Sequence, residues 1–230
     1  MTSYPAYLDS ISEHLNKPKV TTPANLSTRP QLKEETVNDI NTFLKKWSAA
    51  AIKTTEGSVI PAQIQFFAEI LQNPNIKNVL EIGFNGGLSA GCFLAASSKT
   101  RVVSLDIGAH EYVLKGQQVL QNLYPGRLFL VIGDSADSLH QLVTYHPEYR
   151  PDLVFLDGGH TWPTPATDLA FALRIVRQGG IIVVDDVFTK ENREPDVLRA
   201  VKEACAKGQM AILQQFEAEG RGWIVCKPIY

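Results

Sequence analysis

The 230-residue sequence has few cysteines, no excess of basic residues and no long apolar run. Its three cysteines are an odd number without paired spacing, which argues against a disulfide framework or a zinc site and favours reduced thiols. The net charge of −2 excludes the strongly basic surface that nucleic acids require. Apolar runs stay well below the roughly 18–20 residues that span a bilayer. Residues 1–20 show no basic and apolar signal pattern, so we expect a cytoplasmic protein without nucleic-acid or membrane partners.

The composition is that of a folded protein. Hydrophobic residues make up 44% of the chain, and its length suits one large domain with an appendage. Residues 1–30 contain four prolines and no sustained periodicity, whereas apolar residues at helical spacing predict helices over 31–52 and 61–71. We therefore divide the chain into an N-terminal extension or helical lid, residues 1–57, and a domain, residues 58–230. Residues 1–30 are candidates for a lid or for the contact of a homodimer.

Short β-rich apolar runs alternate with helical stretches from residue 78 onward. This order predicts a doubly wound, Rossmann-like α/β sheet of seven strands, mostly parallel. The last two strands are joined by a turn at residues 219–222, so they form a C-terminal antiparallel hairpin. Continuous Val, Ile and Leu runs predict strands that are buried on both faces. The predicted strands are Asn78–Ile82, Arg101–Asp106, Leu128–Ile132, Leu153–Asp157, Ile181–Asp185, Met210–Phe216 and Trp223–Cys226.

A glycine-rich turn follows the first strand. It contains Gly83, Gly86 and Gly87, with Asn85 at the second-glycine position of a dinucleotide pattern, so a pyrophosphate cradle is poorly supported. Glu81 at the strand end also disfavours a polyanion and favours a cationic ligand. Asp106, at the end of the second strand, is placed to accept hydrogen bonds from ribose hydroxyls. The alternative is an ordinary βα turn without a ligand.

Three acids follow two further strands. Asp157 ends the fourth strand and Asp185 and Asp186 end the fifth, so at one sheet edge their carboxylates repel unless a cation lies between them. Oxygen ligands without cysteine favour Mg²⁺. On composition alone, loop or helix-capping roles for Asp157 and Asp186 are favoured instead. His160 follows in an Asp-Gly-Gly-His segment, and a lone loop histidine is commonly a solvated residue.

These motifs together resemble the class I S-adenosylmethionine-dependent methyltransferases. The segment Glu81-x-Gly83-x-Asn85-x-Gly87 is similar to their first motif, E/D-x-G-x-G-x-G, with asparagine at the middle glycine. Asp106 matches the ribose-binding acid, and Gly133-Asp134-Ser135 is similar to the segment that holds adenine. The resemblance covers about residues 59–230. It implies S-adenosylmethionine as cofactor and a binding set of Glu81, Gly83, Asn85, Gly87, Ser89, Asp106, Asp134, Ser135 and Asp157.

The acids resemble those of the metal-dependent O-methyltransferases, the catechol O-methyltransferase-like group. The Asp-Gly-Gly-His segment is closest to the branch that methylates sugars and hydroxylated natural products. The resemblance implies that Asp157, Asp185 and Asp186 bind Mg²⁺ or another divalent cation. It also implies that His160 is the general base and, with Asp157, catalytic. The implied substrate is a small hydroxylated metabolite such as a sugar, polyol, phenol or natural product.

Other functions remain open at this stage. The acids could organise the pocket of a metal-independent N- or O-methyltransferase, or the chain could be an inactive methyltransferase-like binding protein. A dinucleotide-dependent oxidoreductase is disfavoured by Glu81, the broken glycine pattern and the absence of a Tyr-x-x-x-Lys pair. Trp162 could line the acceptor pocket or pack against the following helix. Phe43 and Trp47 are expected in the core.

Overall fold

A computed structural model describes residues 31–188 and 195–230, and the predictions made for residues 1–30 lie outside this part of the chain. The strands form one seven-stranded sheet of order β3-β2-β1-β4-β5-β7-β6. The strands are β1 Asn78–Ile82, β2 Arg101–Asp106, β3 Leu128–Ile132, β4 Leu153–Leu156, β5 Ile181–Val184, β6 Met210–Ala218 and β7 Arg221–Pro228. The helices are α1 Glu34–Ala49, α2 Pro61–Ile70, α3 Leu88–Ala96, α4 Glu111–Leu123, α5 Ser135–Tyr145, α6 Thr164–Ile175 and α7 Asp196–Ala206.

The pairing of the strands confirms the predicted fold class. Strands β1 to β5 pair in parallel, and β7 pairs antiparallel to both β5 and β6. The hairpin is longer than predicted, because Arg221 and Gly222 belong to β7 and the turn is reduced to Glu219 and Gly220. Both turn residues have positive φ, 54° and 76°, as the tightest hairpin turns require.

The two faces of the sheet are covered by two hydrophobic clusters. One is formed with α1 to α4, and in it Phe67 meets Phe93 and Phe155 edge-on at 4.7 and 5.2 Å between ring centroids. The other is formed with α5 to α7 around the central strands. Helix α1 of the predicted extension shares the first core with the sheet and with α2 of the predicted domain, and the predicted boundary at residue 57 stays a prediction.

Edge strand β3 departs from the prediction that the strands are buried on both faces. Phe129 is 54% exposed, and Val131 and Ile132 are exposed as well, because β3 has a neighbouring strand on one side alone. Cys92 and Cys226 are buried, Cys205 is half-buried, and all three are free thiols, in agreement with the interpretation of the cysteine count. No helix within residues 31–188 and 195–230 is long and apolar enough to cross a membrane.

Candidate active site

The loops after β1, β2, β4 and β5 meet at the carboxyl edge of the sheet. The strand order reverses between β1 and β4, and ligands of open α/β sheets bind at such a point. The loop after β1 and the loop after β4 touch through their backbones. Gly83 has φ +95°, and a Cβ there would lie 1.9 Å from the carbonyl oxygen of Asp157. Glycine is therefore required at position 83, where the loop after β1 passes over the loop after β4.

We predict that Gly83→Ala strongly destabilises the protein. Its methyl group meets backbone rather than a flexible side chain, and φ is in the left-handed region, so we expect a loss of about 2–4 kcal/mol in the free energy of unfolding. Gly126→Ala is the matched control, because φ is +72° there but nothing lies within 4 Å of the new Cβ. Its loss should be about 1 kcal/mol. Equal losses in urea denaturation would refute the steric argument.

Asn85 explains the departure from the glycine pattern. Its φ is 51°, a left-handed conformation that asparagine tolerates better than most residues. Its backbone N–H donates to Asp106 Oδ2 at 2.7 Å, and its Nδ2 donates to the carbonyl of Gly57 at 2.9 Å. Asparagine thus keeps the turn and ties it to the segment before α2. Its Oδ1 is buried and accepts no hydrogen bond from the described residues.

Glu81 lies behind the wall of the site. It is fully buried, where Ser89 Oγ donates to Oε1 at 2.5 Å and Ser104 Oγ donates to Oε2 at 2.6 Å. Burial raises the pKa of Glu81 to about 8, against these hydrogen bonds, which lower it. The charged form of Glu81 is thus disfavoured by its surroundings, and the expectation that its charge favours a cationic ligand stays a prediction. Ser89 lines the cavity, whereas Glu81 does not.

A cavity of about 570 Å³ lies against the glycine turn, within the usual range for small-molecule sites. One wall is the turn itself and Asp157, and the other comes from the end of α1 and the segment before α2. Trp47, which is 3% exposed and was expected in the core, packs there and also lines the cavity. The lining residues are Trp47, Ile52, Lys53, Thr54, Gly57, Ser58, Val59, Gly83, Phe84, Asn85, Gly86, Leu88, Ser89 and Asp157.

Beside this cavity, Asp157, His160 and Asp186 form a cluster in which one ligand atom of each lies within 4.8 Å of the others. His160 Nε2 is 3.2 Å from Asp186 Oδ2 and 3.8 Å from Asp157 Oδ1. The nearby carboxylates of Asp157 and Asp186 raise the pKa of His160, and burial raises the pKa of the Asp157 carboxyl. Asp186 reaches the cluster through a left-handed backbone, φ 52°. Asp157 belongs to both the cluster and the cavity wall.

Asp185 lies just behind the cluster, so the close group differs from the predicted metal set by having His160 in place of Asp185. Asp185 is 3% exposed, and its Oδ2 accepts a hydrogen bond from Gln63 Nε2 at 2.7 Å. Its Oδ1 is buried without a partner among the described residues. Burial, with repulsion from Asp157 and Asp186, raises the pKa of Asp185 to about 8. A buried carboxylate oxygen without a hydrogen-bond donor is an atom that a cation or a proton can satisfy.

The remaining predicted cofactor residues hold the loops. Asp106 Oδ1 accepts from the N–H of Gly108 at 2.8 Å, and Asp134 caps α5 through the N–H of Ala136 at 2.8 Å. Ser135 Oγ donates to Asp168 Oδ1 at 2.7 Å. Carboxylate oxygens have further lone pairs, so these contacts leave room for a ligand. Their cofactor roles, like that of Gly87, stay predictions.

The sequence did not predict two polar residues of the site, and it left the role of Trp162 undecided between lining the pocket and packing. Gln63, on α2, reaches Asp185, and Arg221, at the start of β7, reaches Gly57. Neither follows a parallel strand, so the pattern of strand ends could not find them. The Arg199 guanidinium lies 3.9 Å from the ring centroid of Trp162, so this indole packs against α7 and not only against the helix that follows it.

Comparison with known proteins gives matches to methyltransferases. Residues 80–187 match the family model described as a methyltransferase domain. A probable caffeoyl-CoA O-methyltransferase 2 of Dictyostelium discoideum is 30% identical over 127 residues, which are 54% of this chain and 54% of the relative. A second such protein of that organism, number 1, is 29% identical over the same shares. The match thus spans about half the length of these curated relatives.

Solved structures share the fold. The O-methyltransferase from Bacillus cereus, in complex with S-adenosylhomocysteine, has a TM-score of 0.64 at 21% identity and covers 82% of this chain and 90% of its own. The O-methyltransferase TomG from Streptomyces achromogenes, in complex with S-adenosylmethionine, has a TM-score of 0.65 at 17% identity, with 86% and 91% covered. With the family match and the curated relatives, these findings confirm the resemblance. Residues 80–187 thus match a methyltransferase domain, and the comparisons together support a class I S-adenosylmethionine-dependent O-methyltransferase similar to the caffeoyl-CoA O-methyltransferases.

Proposed function

We propose that this chain transfers the methyl group of S-adenosylmethionine to a hydroxyl oxygen of a small metabolite, with a divalent cation and His160 as general base. The observation that carries the proposal is the position of the His160 ring between two carboxylates, one of which, Asp157, also lines the cavity. A base, an acidic cluster and a cofactor-sized cavity then meet at one residue.

The cavity suits the proposed cofactor. It is roomy enough for an adenosine derivative, and its polar lining includes Asn85, whose buried Oδ1 is without a partner among the described residues. Asp106 is held next to Asn85, because its Oδ2 accepts a hydrogen bond from the backbone N–H of Asn85. In this proposal Asn85 and Asp106 hold the cofactor by hydrogen bonds, while Trp47 and Val59 exclude water.

The acids fit a divalent cation such as Mg²⁺. Asp157, Asp185 and Asp186 offer oxygen ligands, and the unpartnered buried Oδ1 of Asp185 is an atom that a cation would satisfy. When bound, the cation would supply positive charge that lowers the pKa of the acceptor hydroxyl. His160 accepts the hydroxyl proton on its imidazole ring, and its two carboxylate neighbours stabilise the imidazolium that forms.

Substrate class and compartment are part of the proposal. A sugar, polyol, phenol or natural product with a free hydroxyl is the proposed acceptor, and the curated relatives carry caffeoyl-CoA in their names. The free thiols suit a reducing compartment, so we place the reaction in the cytoplasm. We also propose that the protein acts without a nucleic-acid or membrane partner and that it forms a homodimer.

A metal-independent N- or O-methyltransferase is the second candidate. It is favoured by the position of His160 beside Asp157 and Asp186, since a histidine paired with a carboxylate can accept a proton without a cation. Calorimetry separates the two candidates. S-adenosylmethionine should bind first, and Mg²⁺ should then bind with measurable heat and be required for methyl transfer. Cofactor binding with metal-free turnover would favour the second candidate, and absence of cofactor binding would refute both.

Gln63 provides a separate test of the cation site. Its Oε1 accepts the N–H of Ile60 at 3.0 Å, so its Nε2 is directed at Asp185 Oδ2. We expect Gln63→Met to weaken Mg²⁺ or Mn²⁺ binding by about 10–100-fold, because Asp185 loses the donor that orients it. Gln65→Met is the control, since Gln65 on the same helix donates to Glu69 instead. Unchanged metal dissociation constants in calorimetry would contradict this role.

A further inference from the structure

The β6–β7 hairpin brings Arg221 to the active site on a fixed backbone. Arg221 pairs with Ala218 across the two-residue turn. The next residue, Gly222, accepts a hydrogen bond from the N–H of Val187 at 3.0 Å and packs so tightly on Phe188 that a Cβ would lie 1.8 Å from its ring. Both partners directly follow the Asp185-Asp186 pair. The hairpin and the acidic loop are thereby joined.

The side chain of Arg221 extends toward the cavity wall. Its Nη2 lies 2.7 Å from the position that a Cβ on Gly57 would take, so the guanidinium rests on a glycine that lines the cavity. The charge of Arg221 also lowers the pKa of Asp157, on the same wall, against the larger effect of burial. The guanidinium therefore lies where the cavity meets the acidic cluster.

Within the described residues, this guanidinium is without a hydrogen bond or an ion pair, although the residue is half-buried. Arginine has five donors and keeps its charge at all ordinary pH values. The carboxylates nearby have other partners, since His160 contacts Asp157 and Asp186 and Gln63 donates to Asp185. A partly buried cation with free donors, packed against a glycine of the cavity wall, is an arrangement that can recognise a carboxylate.

We propose that Arg221 is a substrate-binding residue that forms a charge-assisted hydrogen-bonded pair with a carboxylate of a molecule bound in the cavity. The proposal rests on the proposed function, which places cofactor and acceptor there. Two molecules can present this group. One is the methionine part of the cofactor, and the other is an acceptor that carries a carboxylate next to its hydroxyls.

The test compares ligands with and without the carboxylate. For the cofactor, the probes are S-adenosylhomocysteine and its decarboxylated analogue, titrated by calorimetry into the wild type, Arg221→Met and Arg174→Met. For the acceptor, the probes are 3,4-dihydroxybenzoate and catechol, titrated with Mg²⁺ and S-adenosylhomocysteine present. Arg174 is the control, because it is exposed on α6 with its guanidinium over Phe171, whereas Arg221 is half-buried against Gly57 of the cavity wall.

Arg221→Met should weaken one carboxylate ligand by about 10–100-fold and leave its carboxylate-free partner unchanged. Loss confined to S-adenosylhomocysteine identifies the cofactor as the source, and loss confined to 3,4-dihydroxybenzoate identifies the acceptor. If neither carboxylate ligand is weakened, or if each is weakened as much as its partner, the proposal is overturned. If the wild type itself binds no S-adenosylhomocysteine, the proposed function is refuted. If the wild type binds it and Arg221→Met binds it equally well, only the role of Arg221 in holding the cofactor is refuted.

Gly57→Ala tests the position of the guanidinium without removing its charge. The added methyl group would displace Nη2, while the backbone at residue 57 needs no left-handed conformation. We expect the same ligand to be weakened, by about 3–10-fold, and Arg221→Lys to restore part of the loss seen in Arg221→Met. Weakening of the carboxylate-free ligands to the same extent would show a general disturbance of the cavity and overturn the assignment.

Discussion

Asp157→Ala should abolish methyl transfer, with kcat/KM lower by about 10³-fold or more, while S-adenosylhomocysteine still binds. Asp157 is the residue shared by the cavity wall and the cluster, so its loss removes a partner of His160 and, in the proposed function, a cation ligand. The fold should survive. Burial raises the pKa of Asp157, which means that its charge is unfavourable there, and the variant should melt no lower than the metal-free wild type.

Metal dependence is measured in the same experiment. The wild type should lose activity in EDTA and regain it with Mg²⁺, and Asp157→Ala should bind no Mg²⁺ by calorimetry. Asp137→Asn, an exposed acid in the first turn of α5, is the control and should behave as the wild type. Full activity of Asp157→Ala in the presence of EDTA would refute the metal site.

His160→Ala should lower kcat by about 10²–10⁴-fold at neutral pH and leave Mg²⁺ binding in place, as expected of a base and not of a ligand. The histidine must be unprotonated to accept a proton, so the wild-type rate should rise with pH as His160 deprotonates. The nearby carboxylates of Asp157 and Asp186 raise the pKa of His160, which moves this rise toward higher pH. The variant should lack this limb of the pH profile.

The control for this variant is His140→Ala, which removes an exposed histidine of α5. If His160→Ala lost Mg²⁺ binding as well, His160 would be a metal ligand, and the assignment as base would be wrong. An unchanged rate and an unchanged pH limb would remove His160 from the reaction altogether.

Patterns that are local in the chain predicted most of the fold. Alternating strands and helices yield the parallel sheet, and the acids at strand ends indicate one edge, because parallel strands bring their carboxyl ends together. Asp157, His160 and Asp186 are found together for this reason. The asparagine at position 85 was an anomaly in the motif, and its left-handed backbone and its bond to Gly57 account for it.

Residues that reach the site from other elements escaped prediction, since their contacts depend on tertiary packing. Gln63 meets Asp185 across 122 residues of sequence, and Arg221 comes from an antiparallel hairpin whose turn is shorter than the pattern indicated. The raised pKa of Glu81 was not predicted, because burial causes it and the burial of an acid at a strand end cannot be read from one sequence. The exposed face of β3 follows in the same way from the strand order.

The contact of Gly83 with the carbonyl of Asp157 bears on how such a protein can be retargeted. With 1.9 Å between that oxygen and a would-be Cβ, the glycine turn and the acidic loop cannot shift independently. In the proposed function, the loops that hold the cofactor and the reacting hydroxyl would therefore keep a separation set by the backbone. Lys53, Thr54 and Ser58 lie on the opposite wall, outside this joint. A library aimed at new acceptors should vary these three residues and leave positions 83 and 157 untouched.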